Sequence, residues 1–185
     1  SGVNADIIVC RTEKSISKDL RSKIALFCNV EINSVIESID AKTIYEVPLL
    51  MQDEKLDEVV LKKLNIPNSK SDLVDWKEFV SKLKNPKQNI KIGLIGKYVE
   101  LQDSYKSILE SFVHAGAINE TKIDVIPIHS ENINIQTVEN EMSPLDGILV
   151  APGFGERGIE GKILSIKYAR ENNLPFLGIC LGMQM

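Results

Sequence analysis

With 22 Lys and Arg against 26 Asp and Glu in 185 residues, the chain lacks the basic footprint of a protein that holds nucleic acid or an anionic membrane. Its 43% apolar content excludes a disordered chain, and its length suits one complete domain plus a piece of another. No apolar run reaches the roughly 18 residues of a membrane span. The opening SGVNADIIVC has neither the basic region nor the apolar stretch of a leader. Cys10, Cys28 and Cys180 show no metal or disulfide spacing, so a reducing, cytoplasmic setting is expected.

In chain order, DIIVCR reads as a short strand, and Ser17 as the cap of a helix running to about Cys28, with Leu20, Ile24 and Phe27 forming one apolar stripe. SVIES is a second candidate strand. Pro48 is expected to interrupt a helical pattern that resumes around Leu56, Val60 and Leu64 and stops at Pro67. A further amphipathic helix is expected over Asp72–Leu83 from Leu73, Trp76, Val80 and Leu83. The polar KNPKQN then marks a boundary, giving a first domain at 1–84, a linker at 85–89 and a second domain at 90–185.

From Ile90 the pattern alternates. IKIGLIG, KIDVIPIH, LDGILVAPG and LPFLGIC read as strands, with helices at SYKSILESFVHAGAI and IEGKILSIKYAREN. HSENINIQTVENEMS is a polar loop with a short helix. Strands apolar throughout and joined by helices imply a doubly wound parallel sheet in an α/β domain, whose ligands bind beyond the carboxyl ends of the strands. Two such ends here are glycine-rich, APGFGERG and GICLGMQ.

In GICLG a cysteine stands between glycines where a strand turns into a helix. A sharp turn of this kind presents its side chain to solvent, and a helix start favours thiolate, the attacking species. The backbone N–H groups of Leu181 and Gly153 could then hold an oxyanion. Against this stands an inert Cys180 buried as a small hydrophobe, as most free cysteines are.

PFLGICLGMQ resembles the nucleophile motif of class I glutamine amidotransferases. IGLIGKYVELQDSYKSILESFVHAG, LVAPGFGERGIEGKI and ARENNLPFLGICLGMQ together resemble the glutaminase domain of the CTP synthase family. ADIIVCRTE, KIALFCNV and TIYEVPLL resemble the end of that family's P-loop-type amidoligase domain, so the likeness runs nearly end to end.

The resemblance implies that a cysteine thioester releases ammonia from glutamine, and that the ammonia aminates UTP activated by ATP, giving CTP. It makes Cys180 the nucleophile and Gly153 and Leu181 the oxyanion pair, with Phe154, Gly182, Met183 and Gln184 completing the glutamine pocket. It places Lys23 at the UTP or CTP site and Arg11, Ile39, Asp40 and Ala41 at ATP. Mg2+, activation by GTP, inhibition by CTP and a homotetramer are implied as well. Where the family reads P-G-G-F-G this chain has Pro152 before Gly153, and proline has no N–H to donate, so Gly153 is the expected donor.

Lys97 and Tyr98 open the loop after the first strand of the second domain and could serve a passage between domains or merely cap the turn. His114, expected to be partly buried in a helix, and His129, expected in a loop, are both rejected as the base for Cys180. The family's catalytic His and Glu follow the elbow, whereas this chain ends five residues after it and shows no G-x-x-x-x-G-K-[ST] phosphate loop. An incomplete amidotransferase domain, inactive by itself, is therefore expected. Two rivals remain open: another class I amidotransferase or cysteine hydrolase, and a noncatalytic flavodoxin-like module.

Overall fold

The computed structural model describes residues 4–68 and 71–185, apart from the side chain of Gln102, so the first three residues of the opening segment lie outside it. It divides into two compact units, one ending at Val80 and one beginning at Ser81.

In the first unit, strands β1 (Ile8–Thr12) and β2 (Val35–Ile39) pair in parallel, Ile8 opposite Val35. Helix α1 (Lys18–Cys28) joins them. Ser17 caps it as expected, its Oγ accepting the Leu20 N–H at 3.2 Å, and Asn29 ends it in the left-handed conformation. The expected apolar stripe is only partly covered within this unit: Ile24 is half-buried, but Leu20 is 46% and Phe27 87% exposed. A sheet of two strands is too narrow to cover a whole helix face.

Pro48 does not interrupt a helix. It sits in the first turn of α2 (Val47–Asp53), where a missing N–H costs nothing. The break falls instead at Lys55, whose φ of 59° separates α2 from α3 (Leu56–Lys63). Asn65, at φ 54°, follows the end of α3 before Pro67 is reached. Helix α4 (Val74–Lys84) starts where Asp72 Oδ1 accepts the Val74 N–H at 3.0 Å. Its Trp76 donates to the Tyr45 carbonyl at 2.8 Å, and the Trp76 and Phe79 rings lie 6.0 and 5.3 Å from Tyr45. Arg21 donates to the Val35 carbonyl and, at 2.9 Å, to Glu54, which also accepts the Glu37 N–H. Burial pushes the Glu54 carboxyl up, but the Arg21 hydrogen bond, the Glu37 amide and the guanidinium charge together outweigh it and hold it below its usual value.

The second unit is built on β3 (Gln88–Gly96), β4 (Thr121–His129), β5 (Gly147–Val150) and β6 (Phe176–Gly178), all parallel in the order β4-β3-β5-β6. The expected linker is shorter than 85–89, because Gln88 and Asn89 already pair with Thr121 and Lys122. Neighbouring residues of one strand serve opposite faces. Leu94 and Leu149 pack with Ile108, Leu109 and Phe112 of α5 (Lys106–Ile118). Ile95, Ile148 and Val150 pack with Met142 of α6 (Val138–Met142) and with Leu164 and Ala169 of α7 (Ile159–Glu171). The sheet is thus doubly wound, and its strand order reverses between β3 and β5, which opens the crevice where such folds bind ligands. β6 is less buried than a continuous apolar strand suggests, with Phe176 43% and Leu177 58% exposed, because it forms the edge of this sheet.

Candidate active site

Cys180 stands between β6 and α8 (Leu181–Gln184) with φ 52° and ψ −111°, a conformation that costs a non-glycine residue on the order of 1–3 kcal/mol. The turn is held from several sides. The Ile179 N–H donates to the Val150 carbonyl at 3.1 Å, and the Gly182 and Met183 amides donate to the Ile179 and Cys180 carbonyls, each at 3.0 Å. A Cβ on Gly182 would collide with the Val150 carbonyl, and one on Gly178 with the Gly182 carbonyl. Both glycines of the motif are therefore required by close backbone packing. The cysteine they frame is exposed, which overturns its alternative reading as a buried hydrophobe.

Of the four α8 amides, those of Gly182, Met183 and Gln184 are bonded to the Ile179 or Cys180 carbonyls. The Leu181 N–H has no acceptor among the described residues. The second glycine-rich segment follows β5, where Gly153 has φ 143°, a backbone state that side chains rarely adopt.

Two lysines lie beneath this segment. Lys162, fully buried on α7, donates to the Ala151 carbonyl at 2.7 Å, and its Nζ lies 3.8 Å from where a Cβ of Gly153 would stand. Lys97, also buried, donates to the carbonyls of Phe154 at 2.7 Å and Gly155 at 2.8 Å. Burial lowers the proton affinity of Lys162 most, the nearby Lys97 charge lowers it further, and Cys180 raises it. Lys162 is thus the residue that senses the Gly153 segment, Lys97 and Cys180 at once.

The family description "Glutamine amidotransferase class-I" matches residues 100–185, and "CTP synthase N-terminus" matches residues 1–66. Along its whole length the chain is 65% identical to the CTP synthase of Flavobacterium johnsoniae and 60% identical to that of Cytophaga hutchinsonii. Over 99% of its length it is 53% identical to that of Methanocaldococcus jannaschii. The chain belongs to the CTP synthase family. It spans 34–35% of the length of these relatives. Among solved structures, the glutaminase domain of Trypanosoma brucei CTPS with bound acivicin matches 51% of this chain and 38% of its own at 34% identity, with a TM-score of 0.48.

Of the residues that the family likeness assigns to glutamine, Phe154, Met183 and Gln184 are exposed, Gly153 and Leu181 are half-buried and Gly182 is buried against Val150. In the first unit, Arg11, Ile39, Asp40 and Ala41 are brought together at the carboxyl ends of β1 and β2. They line a depression of about 480 Å3 with Ser38, Ile44 and Val47, and Arg11 Nε lies 3.2 Å from Asp40 Oδ1. Lys23 is exposed on α1 and is not among the residues lining that depression.

His129 ends β4, and its Nδ1 accepts the Glu131 N–H at 3.4 Å. His114 is exposed on α5 rather than partly buried. Lys97 does more than cap a turn, while Tyr98 lies under the Arg157 guanidinium, 5.9 Å from ring to cation. Sequence reading missed Lys162. The signal was present, for Lys162 shares the spacing of Ser165, Ile166 and Ala169, the stripe that α7 turns inward.

Proposed function

We propose that the complete protein is a glutamine-hydrolysing CTP synthase and that this chain carries its nucleophile. Residues 1–84 belong to the carboxyl part of the amidoligase domain, and the residues from β3 onward to the start of the amidotransferase domain. The observation that carries the reading is the exposed, strained Cys180 on a turn closed by Gly178 and Gly182, beside a second glycine-rich strand end.

In this mechanism the Cys180 sulfur attacks the side-chain carboxamide carbon of glutamine. The Gly153 and Leu181 N–H groups receive the developing oxyanion. Collapse of the tetrahedral adduct expels ammonia and leaves a glutamyl thioester, which water hydrolyses to glutamate and the free thiol. The ammonia replaces the activated C4 oxygen of UTP, forming CTP.

Bound ATP supplies the phosphoryl group that makes that oxygen a leaving group. Arg11, Ile39, Asp40 and Ala41 suit the nucleoside end of ATP, offering a guanidinium, a carboxylate and an apolar lining. Lys23 is free to meet a pyrimidine nucleotide phosphate. Mg2+ would be held with the ATP phosphates, mainly by parts of the protein outside this chain. GTP activation, CTP inhibition and a homotetramer complete the reading. A reducing cytoplasm suits the three free cysteines. Among the described residues no helix is long and apolar enough to cross a membrane.

The test is labelling of the complete protein with a chloroketone that mimics glutamine. Cys180 should be the modified residue, with glutamine-dependent CTP formation lost and ammonia-dependent formation retained. Modification elsewhere, or equal loss of both activities, would refute the reading.

A further inference from the structure

We propose that Lys162 is a positioning residue for glutamine hydrolysis: its ammonium, anchored on the Ala151 carbonyl, fixes the segment that carries the Gly153 N–H. The inference rests on the glutaminase reading above and names a residue which that reading does not use.

A lysine with no exposed surface is costly unless its charge is met. Packing does not ask for one here. The neighbours of Lys162 on the inward stripe of α7 are Gly161, Ser165 and Ala169, and a methionine of similar length would fill the same space. What a methionine could not do is hold the Ala151 carbonyl at 2.7 Å. The group that offsets the burial of Lys162 is thus the residue from which the segment departs.

At the other end of the segment, Lys97 holds the carbonyls of Phe154 and Gly155. The Ala151 carbonyl shares its peptide plane with the Pro152 nitrogen and the proline ring fixes φ there, so only the Pro152 ψ stays free between the Lys162 anchor and the Gly153 N–H. Gly153 lies between the two anchors with no side chain of its own to restrain it, and its φ of 143° belongs to a residue that would otherwise roam widely. Preorganised donors stabilise an oxyanion because they need no reorientation when the charge appears. Lys162 is well suited to impose this order. It rides a helix of 13 residues packed on the sheet, and Gly161 lets the backbone of that helix press against the Ser130 carbonyl. The Lys162 ammonium also puts positive charge 3.8 Å from where a Gly153 Cβ would stand, of the sign that favours an oxyanion at this segment.

The experiment uses the complete protein with Lys162→Met and Lys162→Gln, read in glutamine hydrolysis, glutamine KM and ammonia-dependent CTP formation. Lys162→Met should lower kcat for glutamine hydrolysis about 100-fold, the scale of one lost oxyanion donor, while KM stays within about threefold and the ammonia reaction within about twofold. Lys162→Gln keeps a donor in reach of Ala151 and should recover part of the loss. Unchanged hydrolysis in both variants, equal loss of both activities, or failure of both variants to fold would overturn the proposal and return Lys162 to the core. A wild-type protein that does not hydrolyse glutamine would overturn the glutaminase reading and this one with it. An active wild type with indifferent variants would overturn this inference alone.

Discussion

The rims of the two parallel sheets place candidate ligand residues in the same way, at the carboxyl ends of strands, yet they hold them very differently. Around Cys180, backbone packs on backbone at Gly178 and Gly182, and two buried lysines grip the facing segment. Beside β1 and β2, Arg11 and Asp40 hold each other with side chains 85% and 47% exposed. Four strands covered by helices on both faces can bury the base of a loop, and two strands cannot. Rigid placement matters where a bond is broken, because misplaced donors lose transition-state stabilisation, whereas a nucleotide can be met by side chains that adjust on binding.

Substitutions should expose that contrast. The largest effect is expected from Cys180→Ala, which removes the attacking atom and should lower glutamine-dependent CTP formation by at least about 10⁴-fold, with the ammonia-dependent rate unchanged. Gly182→Val comes next. Its side chain would be forced against the Val150 carbonyl, so glutamine hydrolysis should drop steeply and the thermal midpoint should fall, with a cost of about 1–3 kcal/mol. The corresponding insertion at Gly155, where a Cβ would meet nothing within 4 Å, should disturb only the backbone conformation at φ 84° and cost less.

In the first unit the strongest handle is Glu54. Because its carboxyl is held below the ordinary value of 4.5, it contributes stability that is present above that pH and is lost as pH falls through the lower, folded value. Acid titration of the wild type should show this loss, and Glu54→Gln should flatten it while costing about 1 kcal/mol in urea unfolding at neutral pH. Arg11→Ala should do least to stability, under about 0.5 kcal/mol, since an exposed pair is worth little. Its effect should be read in ATP affinity instead, and unchanged affinity would remove Arg11 from the nucleotide site.

Much of the local architecture was legible beforehand. Ser17 capped its helix, the alternation after Ile90 yielded a doubly wound sheet, and the glycines around Cys180 marked the turn. Each of these depends on a few neighbouring residues, so a short stretch of chain contains the information. Pro48 misled because a proline reads equally well as the end of one helix or the first turn of the next. Phe27 misled because its spacing announces an apolar face without saying what covers it.

By itself, then, the order of residues determined where the chain turns, where helices begin and which cysteine stands at a bend. Those outcomes follow from backbone sterics and capping, which act over a handful of positions. Only tertiary structure decided that Lys162 and Lys97, separated by 65 positions, would close on one loop, and that Cys180 would remain open to solvent. Which partners a buried group meets is set by segments distant in sequence, so the spacing of α7 marks Lys162 as inward-facing without naming the Ala151 carbonyl it holds or the Lys97 beside it.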